Sequence, residues 1–150
     1  MKNIFDTLKQ NLGNALVREI SPARLHVLIP KDDVKKIPEA AKTLSLRLVF
    51  LFASDERKEK NAFAVYYVLA SENENKFVIF ETNTGEKSPY FPSLTPFLPQ
   101  ANWHEREIRD LFGLIPEGHP DPRPLILHED WPKDFFPLRK DFKGGEIPRL

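Results

Sequence analysis

Apolar residues recur along the first 85 residues in two patterns, one with helical and one with extended spacing. Helical spacing runs from Ile4 to Leu16 and again from Val34 to Leu44, and the second stretch follows Asp32 and Asp33, which are suitable N-cap residues. Pro38 lies inside that second pattern, so we expect the first turn of the helix to be separate or kinked.

Four further segments have the composition and length of β-strands. They are Arg24 to Ile29, Leu46 to Ala53, Ala62 to Ala70 and Phe77 to Thr82. Short charged or polar turns separate the last three, which predicts two consecutive hairpins, and a further helix is expected from Gln100 to Phe112. A helical crossover followed by two hairpins predicts an α+β fold, in which helices pack against a four-stranded mixed sheet.

The distribution of proline divides the chain into two parts. Only three of the 14 prolines precede residue 88, whereas residues 114–150 hold seven of them and show little helical or strand periodicity. The same segment is rich in large apolar residues, unlike a disordered tail, and it is too long for an ordinary loop. We therefore predict an α+β domain over residues 1–113 and an extended docking arm over residues 114–150, which covers its own body or a neighbouring chain.

Charge and cysteine content exclude several classes of function. Lys plus Arg and Asp plus Glu both number 22, so no net charge draws the chain to nucleic acid or to an anionic membrane. The chain has no cysteine, which excludes disulfides, thiol catalysis and cysteine-ligated zinc or iron–sulfur sites within it. Because no run of 18 apolar residues and no signal pattern is present, we expect a soluble, cytoplasmic protein.

The most informative segment is the helix predicted to begin at Asn102. Asn102 followed by Glu105 is close to a capping box, and Gly113 is a typical residue for ending a helix in the left-handed conformation. The helix is therefore expected to have a defined start and a defined end.

Charged residues inside this helix allow two interpretations. Glu105 with Arg109, and Arg106 with Asp110, have the four-residue spacing of intrahelical ion pairs. Glu107 and Asp110 are also candidates for paired general acid and base carboxylates. Because arginines are interleaved with these carboxylates, ion-paired structure is favoured over catalysis.

Histidines offer no metal motif. His104 and Glu105 begin an HExxH pattern, but the position of its second histidine is Ile108. His104, His119 and His128 lack local ligand spacing, so hydrogen-bonding or surface roles are favoured. An RNA-binding sheet is a further alternative, but the neutral charge and the missing RNA-recognition pattern favour core packing or cross-strand pairing for the aromatic residues of the third predicted strand.

Three sequence blocks follow one another in the last third of the chain: Glu105 to Gly113, Glu117 to Asp121 and Pro137 to Phe142. Together they resemble the signature of the thirty-kilodalton subunit family of respiratory complex I, the NADH-quinone oxidoreductase. The same domain occurs in membrane-bound nickel–iron hydrogenases, in formate hydrogenlyase and in related complexes. Three ordered blocks at compatible spacing are much more specific than one short motif.

The resemblance implies a peripheral-arm subunit without a cofactor of its own. It would clamp the large catalytic subunit beside iron–sulfur subunits, and the iron–sulfur clusters and the quinone or nickel–iron site are expected in those partners. The chain would then reach the cytoplasmic side of the membrane only through the complex. The residues expected to fix the helix or to line the docking arm are Glu105, Arg106, Glu107, Asp110, Gly113, Gly118, His119, Pro120, Asp121, Arg123, Pro137, Leu138, Arg139, Lys140, Asp141 and Phe142.

Two departures from the family pattern bear on the type of complex. After Asp121 the family usually continues with Leu and a pair of arginines, whereas this chain has Pro122, Arg123 and Pro124. A Gly-containing turn often precedes the last block, whereas Lys133 to Phe136 stands here. These departures favour a hydrogenase-type or ferredoxin-linked complex. Two alternatives stay open: the equivalent subunit of a true NADH-quinone oxidoreductase, and a free-standing acid/base enzyme.

Overall fold

The computed structural model of the protein describes residues 3–144, so the last six residues of the predicted arm lie outside the described part. Among the described residues, five strands form one sheet in the order β1-β2-β5-β4-β3, and two short strands form a separate pair. The strands are β1 (Leu16–Ser21), β2 (Arg24–Leu28), β3 (Leu46–Glu56), β4 (Ala62–Ser71), β5 (Lys76–Thr84), β6 (Tyr90–Pro92) and β7 (Ile115–Glu117).

Residues 3–144 also contain four α-helices and two 3₁₀ helices. The α-helices are α1 (Ile4–Asn11), α2 (Ile37–Thr43), α3 (Arg57–Lys60) and α4 (Asn102–Phe112), and the 3₁₀ helices are Lys31–Lys36 and Pro99–Ala101. The separate first turn that Pro38 predicted is confirmed, because the first 3₁₀ helix leads into α2 with this proline in the opening turn. None of the helices within residues 3–144 combines the length and apolarity that a membrane span requires.

The α+β class and the mixed sheet are confirmed, but the predicted number of strands is wrong. The sheet has five strands rather than four, and the one that the sequence pattern missed is β1. Val17 is the only buried residue of β1, so no alternation of apolar and polar positions marks the strand. The helical pattern from Ile4 to Leu16 also predicted too long a first helix, because α1 ends at Asn11.

Strand direction follows from the two kinds of connection. The β1–β2 hairpin and the β3–β4–β5 meander are antiparallel, whereas β2 and β5 pair in parallel. One face of the sheet and the helices enclose the apolar core. Its largest fully buried side chains are Tyr67, Phe63, Phe80, Phe91, Leu8, Leu25, Ile29, Ile37, Leu51, Leu69, Leu94 and Leu114.

The opposite face of the sheet is only partly covered. Phe50, Phe52 and Phe77 are exposed there, and Phe52 stacks on its cross-strand partner Tyr66 with ring centroids 5.0 Å apart. The aromatic residues of β4 thus divide as expected between core packing and cross-strand pairing. Helix α4 packs against β3, which is the edge strand at the opposite side of the sheet from β1.

Candidate functional site

Helix α4 carries the first motif block, and its two ends differ from each other. The predicted capping box is wrong: the N-cap is Ala101, no side chain caps the helix, and Asn102 already lies within it. The preceding 3₁₀ helix supplies a backbone that is already turning, so the helix begins without a capping side chain. The predicted end is confirmed, because Gly113 has φ 71° and its amide donates to the carbonyl of Arg109.

Gly113 is required for a second reason. A Cβ atom built at this position would lie 2.5 Å from the ring of Phe136, which the returning arm places against the helix end. The positive φ makes a larger residue strained here, and a Cβ atom would also force the ring of Phe136 to move.

Glu105 is fully buried and points into the loop that follows β6. Its carboxylate accepts hydrogen bonds from Ser93 Oγ at 2.5 Å, the Leu94 amide at 2.6 Å and Thr95 Oγ1 at 2.7 Å. The predicted ion pair with Arg109 is therefore wrong, because the carboxylate faces away from solvent and is satisfied by three other donors. Glu105 joins the loop to α4.

Asp110 binds the main chain of the arm. One carboxylate oxygen, Oδ2, accepts hydrogen bonds from three consecutive amides, those of Leu125 and Ile126 at 2.8 Å and that of Leu127 at 3.3 Å. The predicted pair between Arg106 and Asp110 is wrong for this reason. The carboxylate holds a bend of the arm instead of a guanidinium one turn away.

The arginines of α4 bind the carbonyl groups just before that bend. Arg106 donates to the carbonyls of Arg123 at 3.2 Å and Pro124 at 2.9 Å, and it forms an ion pair with Asp121 at 3.2 Å. Arg109 donates to the carbonyls of Asp121 and Arg123. We call the side chains of Arg106, Arg109 and Asp110, together with the main chain of residues 121–127, the clasp.

Asp121 and His119 hold the second motif block in place next to the clasp. The Arg123 guanidinium hydrogen-bonds the Asp121 carboxylate at 2.8 Å and lowers the pKa of that carboxyl. The Asp121 amide donates to Nδ1 of His119, so the ring proton lies on Nε2 and is donated to the carbonyl of Asn102. His119 therefore links the second block to the start of α4.

The three histidines considered for a metal lie apart from one another. The side chain of His119 is buried beside the start of α4, the ring of His104 packs edge-on against Phe50, and His128 is exposed beside Asp130. Within residues 3–144 no group of three or more His, Asp or Glu residues is placed to hold a metal ion.

The third motif block returns to the body near the end of α4. Arg139 Nε donates to the carbonyl of Phe112 at 2.7 Å, and the guanidinium lies over the rings of Phe136 and Phe63 at 4.4 and 5.1 Å. The amide of Leu138 donates to the carbonyl of Leu111. A guanidinium in this position anchors the arm to both the helix end and the sheet.

An ion-pair network involving Asp55 and Arg57 completes this second attachment. Arg57 binds Asp55 at 2.7 Å, Asp141 of the arm at 2.6 Å and Glu86 at 2.8 Å, and the Lys140 amide donates to Asp55. The hydrogen bond from the Arg57 guanidinium lowers the pKa of the Asp55 carboxyl despite its burial. Sequence reasoning missed Asp55 and Arg57, because nothing distinguishes them within the charged segment SDERKEKN.

Glu107 is the exception among the charged residues of α4. It lies in a groove of about 420 Å³ between the outer face of the helix and the arm, beside Trp103, Leu125 and Ile126. The structure does not bring Glu107 and Asp110 together in one site, because Asp110 is buried against the arm backbone. The two carboxylates do not line a common cavity in which they could act as a paired acid and base.

Comparison with known proteins assigns these motif blocks to a family. Residues 27–147 match the family described as respiratory-chain NADH dehydrogenase, 30 Kd subunit. Formate hydrogenlyase subunit 5 of Escherichia coli (strain K12) is 44% identical over 113 residues, which cover 72% of this chain and 20% of that protein. Hydrogenase-4 component G of the same strain is 50% identical over 95 residues, covering 63% and 17%.

An NADH-quinone oxidoreductase subunit of Nocardioides sp. (strain ATCC BAA-499 / JS614) is 39% identical over 85 residues, which cover 57% of this chain and 33% of that protein. The chain thus spans a third or less of the length of these curated relatives.

Two solved structures have the same fold. A trypsin-resistant fragment (1-134) of Nqo5 superposes with a TM-score of 0.67 and 25% identity, covering 77% of this chain and 96% of the fragment. A chain of the membrane-bound sulfane sulfur reductase, an archaeal respiratory membrane complex, shares the fold with a TM-score of 0.79 and 23% identity, covering 93% of this chain and 85% of that one. The protein belongs to the 30-kDa subunit family of the respiratory-chain NADH dehydrogenase.

Proposed function

We propose that the chain is a non-catalytic structural and assembly subunit in the peripheral arm of a complex I-like oxidoreductase. There it clamps the large catalytic subunit, and the iron–sulfur clusters and the quinone or nickel–iron site belong to the partner subunits. Contact with the membrane is made only through the complex, on its cytoplasmic side.

The observation that carries this proposal is the way in which the arm is held. The clasp uses the main chain of residues 121–127 and leaves the side chains of Leu125 and Ile126 pointing outward, with Ile126 55% exposed. Leu138 in the third block is 52% exposed although its amide is bound to the body. A segment whose backbone is already ordered loses less conformational entropy when its apolar side chains meet a partner.

A hydrogenase-type complex is favoured over a quinone reductase. The chain is 44% and 50% identical to formate hydrogenlyase subunit 5 and hydrogenase-4 component G, but 39% identical to the NADH-quinone oxidoreductase subunit of Nocardioides. The single arginine after Asp121 supports the same choice, because it is one of the two places at which this chain departs from the complex I pattern. The equivalent subunit of a true NADH-quinone oxidoreductase is the alternative.

The geometry does not favour a free-standing acid/base enzyme. The lone pairs of Asp110 Oδ2 accept three amide hydrogens, and the side chain is almost inaccessible to solvent. A general base needs a free lone pair within reach of the substrate proton. Of the two carboxylates, Glu107 is the one that lines an open groove.

Purification of the native complex tests the proposal. The chain, tagged at its N-terminus and expressed in its own host, is extracted from membranes in mild detergent and isolated by the tag. We expect a large redox subunit and iron–sulfur absorbance to elute with it, together with hydrogen evolution or quinone reduction. Elution of the chain alone, with the large subunit in a separate fraction, would overturn the proposal.

A further inference from the structure

Four of the five charged residues of α4 are engaged with the chain's own loops, and one is not. Glu105, Arg106, Arg109 and Asp110 bind the loop after β6 or the arm. The carboxylate of Glu107 makes no hydrogen bond or ion pair with any residue from 3 to 144. Glu107 lies on the outer face of the helix, so this face carries a charged group that the described residues do not bind.

The surface around Glu107 is largely apolar, although Gln100, Asn102 and His104 also line the groove. Trp103, one helical turn before it, is 71% exposed, and Leu125 and Ile126 form the opposite wall of the groove. Large apolar side chains exposed singly are common, but a contiguous patch indicates an interaction surface. A tryptophan beside aliphatic groups has the composition of an interface anchor.

The apolar surface does not stop at the groove. His104 lies in its wall and also packs against Phe50, with ring centroids 5.1 Å apart and the rings nearly perpendicular. Phe50 in turn lies 5.6 Å from Phe52 on the open face of the sheet. The surface therefore runs from the arm across α4 to the edge strand β3.

The arm wall of the groove is rigidly placed because Asp110 holds the amides of Leu125 and Ile126 from the other side. One oxygen thus fixes the backbone from which both groove side chains project. A docking partner meets a surface that does not have to be ordered first.

Charge complementarity identifies the chemistry of the occupant. A partner that covers Trp103, Leu125 and Ile126 also removes water from Glu107, and a carboxylate that loses water without a partner is costly. The hydrocarbon part of a lipid or a purely apolar helix supplies no such partner, whereas a Lys or Arg side chain does. The stem of that residue can also cover the indole while its head group reaches the carboxylate.

We propose that this groove is the docking site for a segment of another subunit of the complex, which carries one Lys or Arg between apolar residues and pairs it with Glu107. This inference rests on the proposed function. Trp103 and Ile126 bind the apolar side chains of the segment, and Glu107 selects its charge.

Photo-crosslinking locates the occupant. A photoreactive benzoylphenylalanine replaces Trp103 in the tagged chain, the complex is irradiated after purification, and the linked peptide is sequenced by mass spectrometry. We expect one peptide from another subunit, with Lys or Arg flanked by apolar residues. A peptide without a basic residue, a peptide of this chain or of a second copy, a lipid adduct or no adduct would each overturn the inference.

Charge reversal tests the pairing independently. Glu107→Lys is expected to weaken retention of that subunit by about tenfold or more, and Glu107→Gln by less, because reversal places like charges together. Glu19→Lys is the matched control, since it reverses an exposed carboxylate on β1, at the opposite edge of the sheet from β3. Reversal of the crosslinked Lys or Arg to Glu should restore retention by the Glu107→Lys chain.

The two proposals fail in different ways. If the wild-type chain purifies with the complex and Glu107→Lys behaves like Glu19→Lys, the docking site is wrong and the subunit role stands. If the wild-type chain elutes alone, the subunit role fails and the docking site with it. Thermal unfolding of each purified variant, compared with wild type, separates loss of docking from loss of folding.

Discussion

The sheet and the arm of this protein are held in place by different forces. Side chains such as Phe80 and Leu51 stabilise the sheet because their apolar surface is buried in the core, away from water. The arm after β7 has little regular structure, and charged side chains of the body bind its main chain. Apolar side chains stabilise the body by being buried. In the arm the main chain makes the contacts with the body, so several apolar side chains of the arm remain available to a partner.

The largest effect is expected from breaking the sheet. Phe80→Ala removes a fully buried ring from β5 and should lower the free energy of unfolding by about 3–5 kcal/mol. Phe77→Ala on the same strand is the matched control, because this ring is 42% exposed and its loss should cost under about 1 kcal/mol. Urea unfolding followed by circular dichroism measures both values. Equal losses would mean that burial does not distinguish the two faces.

The next effect concerns Glu105, which belongs to α4 but lies in the interior. Glu105→Leu leaves the Ser93, Leu94 and Thr95 donors without their acceptor and should cost about 3 kcal/mol. Glu105→Gln should cost about 1 kcal/mol, because its carbonyl still accepts from an amide and the two hydroxyls can turn to accept from its NH₂ group. Chemical unfolding of both variants tests this order. A leucine variant as stable as the glutamine variant would contradict it.

The clasp should respond locally rather than globally. Asp110→Asn weakens the hydrogen bonds to three amides and should lower the stability of the arm by about 1–2 kcal/mol, while the unfolding of the sheet changes little. Hydrogen exchange at Leu125 and Ile126 should become about tenfold faster, and protease should cut the arm earlier. Glu107→Gln is the control, because Glu107 binds nothing in the clasp. Faster exchange throughout the sheet would show that arm and body unfold together.

The same contrast explains which features of the fold could be predicted. Strands such as β3 and β4 were found because their apolar residues face a core, and Gly113 was found because a helix end needs a left-handed residue. Strand β1 was missed because it buries only Val17. Local patterns reveal an element only when its own residues carry the signal.

The candidate site was predicted in its residues but not in its contacts. The motif blocks predicted the positions of Arg106 and Asp110, yet four-residue spacing suggested that they pair with each other. Arg106 forms an ion pair with Asp121 instead, and both residues bind main-chain groups, among them those of Pro124 and Leu125, which lie 18 and 15 residues away in the sequence. Every residue has a main-chain carbonyl, and every residue except proline has an amide hydrogen, so no sequence pattern identifies these groups as partners. The partner-binding role of the motif residues stays a prediction.

The smallest effect is expected from pH, at the second attachment of the arm. The Arg57 guanidinium lowers the pKa of Asp55 in the folded protein, so the stability that Asp55 contributes is complete above its unfolded pKa of about 4 and is lost as the pH falls through the lower folded value. Asp55 also accepts from the Lys140 amide, and Arg57 also binds Asp141, so acid should loosen residues 140 and 141.

Asp55→Asn isolates this contribution, because asparagine cannot lose its acceptor by protonation. Between pH 6 and pH 2 the wild-type protein should lose more stability than the variant, so that the difference between them narrows as the pH falls. Unfolding at several pH values gives the difference, and hydrogen exchange at Lys140 shows whether the arm is the part released. A difference that stays constant with pH would mean that Asp55 acts through packing rather than charge, and the second attachment would then resemble the sheet more than the clasp.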